Sequence, residues 1–161
     1  MNNYFFDTML ELSKSKNDII NNILKKYFRT KKVEKSGIDK EDDKGIDWVV
    51  NYNTYVDSKI RRRKYPGDVA LETFSNLESG KLGWTRDFSK KTHFILWLWT
   101  DKYLVLDYKY LRKVFIREWK DWKVRFRVCQ QTTNNSYHSE IIFVPVTFLC
   151  EQIIYERIYN P

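Results

Sequence analysis

The chain has 161 residues, 42% of them apolar and 17% aromatic, which suits one domain over residues 1–161 and is too much for a largely disordered protein. With 29 Lys and Arg against 21 Asp and Glu the formal charge is +8, a balance that favours polyanionic partners such as nucleic acid or anionic membrane. No stretch approaches the ~18 uninterrupted apolar residues of a membrane span, and MNNYFFDTMLEL lacks a signal-peptide pattern, so a cytoplasmic protein with no membrane partner is expected.

Apolar residues at Phe5, Phe6, Met9, Leu10, Ile19, Ile20, Ile23, Leu24, Tyr27 and Phe28 recur at helical spacing and predict one long helix or two short ones. The charged residues 29–44 read as a loop or a marginal strand. IDWVVNY and TYVDSKIR then alternate with period two around Asn51–Asn53, predicting an antiparallel hairpin, and DVALETFS predicts a third strand. NLESGKLGW is a loop, and Ser89–Lys91 has the character of a helical turn. HFILWLW and YLVLD read as paired strands across Asp101-Lys102, followed by a helix over 108–120. VRFRV and EIIFV are strands separated by the polar QQTTNNSYHS, and Val146–Ile158 after Pro145 is a closing helix. The sum is an α+β chain with a mixed central sheet flanked by helices. Cys129 and Cys150 lie in apolar runs without CxxC spacing, which predicts free buried thiols and argues against zinc.

Strand alternation points Asp57 and Lys59 one way and Val56, Ser58 and Ile60 the other. A hairpin turning through Asn51–Asn53 pairs Val50 with Thr54, and the same count sets Asp47 opposite Asp57, Cβ atoms ~5 Å apart. Like charges so placed destabilise a sheet, and a divalent cation resolves the conflict. Mg²⁺ (or Mn²⁺) suits the pair, because it is held by one or two carboxylates and keeps positions for water and phosphate oxygens. Lys59, one pleat along, is set to contact a phosphate or a metal-bound water. Arg61, Arg62, Arg63 and Lys64 follow directly and are expected to bind nucleic-acid phosphates, with Lys81, Lys90 and Lys91 extending the patch; the alternative is a charged strand end that prevents edge pairing.

Asp47 followed by Asp57-Ser58-Lys59 resembles the D…(D/E)xK signature of the PD-(D/E)xK nuclease superfamily, the restriction-type endonucleases and Holliday-junction resolvases. The longer pattern KGIDWVV … YVDSKIRRRKY … DVALETFSN … GKLGW is similar to small phage and bacterial members, over roughly residues 4 to 106. No proline precedes Asp47, and the second acid is Asp instead of the more frequent Glu. The resemblance implies a restriction-endonuclease-like αβββαβ core and a metal-dependent endonuclease that hydrolyses phosphodiester bonds in DNA. It implies Asp47 and Asp57 as metal ligands, the Ser58 carbonyl as a further ligand, and Lys59 as the catalytic lysine. It also implies a glutamate from the first helix, for which Glu11 is the positional match although it lies off the apolar face. Glu72 on the third strand is the rival, and Asp42 and Asp43 are loop alternatives. A non-catalytic nucleic-acid-binding protein and a phage-type protein-interaction factor are the other readings. A homodimer is left open. Only His93 and His138 are histidines, and no Ser or Cys is spaced for a catalytic triad. The six tryptophans read mainly as core.

Overall fold

A computed structural model describes residues 16–36, 44–61, 67–99, 102–132 and 137–159. Helix α1 is described over residues 16–27. The strands are β1 (Val33–Lys35), β2 (Trp48–Val50), β3 (Thr54–Ile60), β4 (Asp68–Asn76), β5 (Lys81–Leu82), β6 (Phe94–Leu98), β7 (Tyr103–Asp107), β8 (Arg127–Thr132) and β9 (His138–Pro145). Helix α2 (Tyr108–Arg125) joins β7 to β8, and α3 (Val146–Tyr159) follows β9. The architecture is α+β.

The expected hairpin forms with the expected register, Val50 opposite Thr54 and Trp48 opposite Val56. Its turn holds Asn51 and Tyr52 at φ 50° and 71°. The left-handed region is unfavourable for a tyrosine, and Lys32 secures it, donating to the Tyr52 hydroxyl with its ammonium 4.3 Å from the ring centroid.

The strands divide between two sheets. One is mixed, in the order β1-β2-β3-β6-β7, with β3 and β6 parallel; the other is antiparallel, in the order β5-β4-β9-β8. The third expected strand therefore does not extend the hairpin into one central sheet. Both edges of β3 are occupied, by β2 and β6, so β4 satisfies its backbone against β9 instead. Three further differences are local. Ser89–Lys91 makes no helix: Asp87 Oδ1 accepts from the amide and hydroxyl of Ser89, a side-chain turn that competes with helix. Helix α2 runs to Arg125, through the start of the expected strand at Val124, with Lys123 and Arg125 in its last turn favoured by the helix dipole. Polar Gln130–Thr132 lie in the edge strand β8, where exposed side chains carry no penalty. The two cysteines are half-buried and free.

Alternation along β3 and β6 gives the mixed sheet two differently covered faces. Val56, Leu96 and Leu98 pack with Trp48, Val50 and α1 residues Ile20 and Leu24. Ile95 and Trp97 face the other way, into the larger core with Val69, Leu71, Leu111, Phe115 and Trp122. Ile19 and Tyr27 of the predicted apolar helix face are about half exposed, so the buried stripe of α1 centres on Ile20 and Leu24. Asp57 and Lys59 pair in register with Ile95 and Trp97 and share their face. The two charges therefore lie where the larger core reaches its margin. No described helix is long and apolar enough to cross a membrane.

Candidate functional site

Asp47 stands one residue before β2. Its backbone amide donates to the Val56 carbonyl (3.0 Å), while its Oδ2 accepts from the Ser58 amide (2.7 Å) and hydroxyl (2.6 Å). Trp48 Nε1 donates to the same Ser58 hydroxyl at 3.2 Å. Ser58 thus fixes the Asp47 carboxylate against β3. Asp57 is 4% exposed and ion-paired with Lys59, Oδ2 to Nζ 2.8 Å. Burial raises the Asp57 carboxyl, Lys59 opposes it, and neighbouring Asp47 raises it again, to about 6.

Lys59 keeps about a third of its side chain exposed, and its Nζ lies 5.3 Å from the Trp84 ring centroid. It opens onto a cavity of about 350 Å³ lined also by Arg61, Ala70, Glu72 and Trp84. Although β4 is not a neighbour of β3, Glu72 reaches this cavity from the second sheet. Its Oε2 accepts from the Trp84 amide at 3.2 Å. Burial raises the Glu72 carboxyl; the Trp84 amide and the Lys59 ammonium pull the other way.

The segment between β5 and β6 completes the surroundings. Gly83 carries Trp84 across to Lys59, and Lys90 approaches Gly45. A Cβ on Gly45 would stand 3.3 Å from Lys90 Cδ, 2.7 Å from Thr92 Oγ1 and 3.9 Å from Asp57 Oδ2. At φ +70° this glycine also adopts a conformation that side chains resist. The roles of Trp84 and Gly45 are not legible in the sequence, because both act through a loop path that periodicity does not encode.

The expected residues thus fall into three groups. Asp47, Asp57, Ser58 and Lys59 come together, and Glu72 joins them across the cavity. Arg61 instead ion-pairs Asp68 at 3.0 Å and lies over the Phe143 ring, tying the end of β3 to the second sheet. Glu11, Asp42, Asp43, Arg62, Arg63 and Lys64 lie outside the described residues. His93 Nδ1 accepts from the Tyr55 amide, and His138 pairs with Glu78. Trp48, Trp97, Trp99 and Trp122 are buried, and Trp84 and Trp119 are half-buried against the larger core.

Asp47 and Asp57 are the carboxylates that would hold a hard cation if one binds here. A carboxyl raised chiefly by burial and further by a like-charged neighbour is one whose ionised form a cation would favour, and two carboxylates suffice for Mg²⁺ with water completing its shell. Among the described residues no group of three or more His, Cys, Asp or Glu is arranged to hold a metal. Comparison with protein-family models, curated proteins and solved structures finds no match.

Proposed function

We propose that this chain is a Mg²⁺-dependent phosphodiesterase acting on DNA, with a PD-(D/E)xK-type site and a restriction-endonuclease-like core. The observation that carries the reading is the buried Asp57 beside Asp47, ion-paired to Lys59, which itself lines a cavity. Asp47 and Asp57 would hold the cation, whose bound form supplies Lewis-acid stabilisation of charge on phosphorus. Ser58 orients Asp47 through two hydrogen bonds. Lys59 orients the attacking water and donates to a phosphoryl oxygen, and the Trp84 ring beside it limits competing solvent. Glu72 lines the same cavity, and its carboxylate feels the Lys59 ammonium electrostatically.

The test is cleavage of a labelled panel of DNA and RNA structures with Mg²⁺, Mn²⁺ or EDTA. Cleavage of DNA with either metal and none in EDTA is expected. Asp57→Ala and Lys59→Ala should each lower it at least about 100-fold, the usual scale for losing a charge-stabilising group, while circular dichroism shows a folded chain. Undiminished cleavage by either variant overturns the assignment. A second reading, a non-catalytic nucleic-acid-binding protein, is favoured by one observation: Ser58 satisfies Asp47 and Lys59 neutralises Asp57 within the chain. Calorimetry with Mg²⁺ separates the two, since only the first requires metal binding that is lost in Asp57→Ala.

A further inference from the structure

A second and larger concavity, about 560 Å³, opens between the N-terminal ends of β3 and β6 and the N-terminus of α2. Its lining includes the cations Lys90, Lys91, Lys109 and Arg112, with Asp107 as its one carboxylate. Asp107 is committed locally, its Oδ1 accepting from the Lys109 amide as the N-cap of α2. The wall therefore presents a strong excess of positive charge, to which the α2 dipole adds. Arg112 is held in place by a bond to the Asp87 carbonyl (3.3 Å) and by the Tyr108 and Phe88 rings, 5.1 and 4.8 Å from its guanidinium.

The same concavity has an aromatic wall. Tyr55 and His93 stack at 5.2 Å between centroids and 15° between planes. Two hydrogen bonds hold the pair: His93 N donates to Tyr55 O at 2.9 Å, and Tyr55 N donates to the His93 ring at Nδ1, 3.1 Å away. A rigid planar face beside four cations matches a nucleotide, which has a planar base and an anionic phosphate. The volume suits one small-molecule-sized unit.

We infer that this concavity is a subsite for one unstacked nucleotide of a single strand, with its base against the Tyr55–His93 pair and its phosphate among Lys90, Lys91, Lys109 and Arg112. A base still stacked in a duplex presents only its edge and cannot reach the aromatic face. Thr92 and Lys90 line the concavity and also adjoin Gly45 beside Asp57, so a strand held here runs toward the candidate catalytic carboxylates. The inference deepens the nuclease reading by naming its substrate class and rests on that reading for the direction of the strand.

The test measures binding in EDTA, where cleavage plays no part, using the full chain and a fluorescent oligothymidylate or a duplex of equal length. Wild type should bind the single strand at least about tenfold more tightly. Lys91→Glu/Lys109→Glu, two exposed positions, should weaken it by more than tenfold and lower the salt slope by roughly 1.4, at ~0.7 for each phosphate contact on a single strand. His93→Ala should cost about tenfold on the single strand and little on the duplex. Thymidine monophosphate should compete better than inorganic phosphate. Equal binding of single strand and duplex, an unchanged slope in the double variant, or equal competition by inorganic phosphate overturns the subsite. Failure of the nuclease reading looks different: wild type fails to cleave with Mg²⁺ or Mn²⁺ while single-strand binding keeps its dependence on Lys91, Lys109 and His93.

Discussion

The Asp57 carboxyl is held at about 6 against an ordinary value of 3.8, mainly by burial. The folded chain therefore prefers the neutral form. Below pH ~4 the group is protonated in both states and carries no penalty. As pH rises through ~4 to ~6 the unfolded chain releases its proton first, so stability falls, and above that range the penalty is constant. At 1.36 kcal/mol per pKa unit the loss amounts to about 3 kcal/mol. Asp57→Asn keeps the shape and removes the titration. In EDTA, thermal unfolding should find it about as stable as wild type at pH 4 and up to about 3 kcal/mol more stable at pH 8; a difference that does not change with pH would contradict the environment assigned to this carboxyl. Adding Mg²⁺ at pH 8 should stabilise wild type and not the variant. The juxtaposition with Asp47 was legible, because a three-residue turn fixes hairpin register. The Ser58 hydrogen bonds were not, since they depend on where the Asp47 carboxylate turns after the ladder ends.

Gly83, which links the short strand β5 to Trp84, exposes how the elements depend on one another. An added Cβ would lie 2.2 Å from the Glu72 carbonyl oxygen and 2.5 Å from its carbon, both backbone atoms of β4. Strand β4 is locked between β5 and β9 and cannot retreat. Gly83→Ala should cost about 3 kcal/mol or more, at the upper end for overpacking. Gly80→Ala meets nothing within 4 Å and has only its φ of +70° against it, so it should cost about 1 kcal/mol. Denaturant melts of both variants test that order, and equal costs would mean that the β4 backbone yields. Strands β2, β3, β4, β6 and β7 were readable because each buries alternating or continuous apolar side chains. Strand β8 was not readable past Val128, because Cys129–Thr132 take their place from hydrogen bonding to β9 and bury little. Partner choice was equally hidden: DVALETFS announces a strand, but only the filling of both β3 edges sends it to the second sheet.

Across the whole molecule the mixed sheet is the shared wall of two cores, with Ile95 and Trp97 serving one and Leu96 and Leu98 the other. Composition and periodicity indicated α+β, and the near-continuous HFILWLW indicated a strand covered on both faces. They did not reveal that the covers differ, α1 on one side and the second sheet with α2 and α3 on the other. Because neighbouring residues of β6 serve opposite cores, neither core can dissolve while the other stays intact without stripping one face of a common strand. Leu24 on α1 is fully buried and so is Leu111 on α2. Leu24→Ala and Leu111→Ala should each cost about 2–5 kcal/mol, the range for deleting buried leucine side chains. Trp48 reports the smaller core, while Trp97 and Trp122 belong to the larger. Far-ultraviolet circular dichroism and tryptophan fluorescence should therefore give coincident unfolding transitions in wild type, and both transitions should shift together in either variant. If Leu24→Ala instead splits the transition, with Trp48 responding first, the α1 side is a separately unfolding unit. The Asp57 face should then survive that first step, and oligothymidylate binding measured between the two transitions would follow the second.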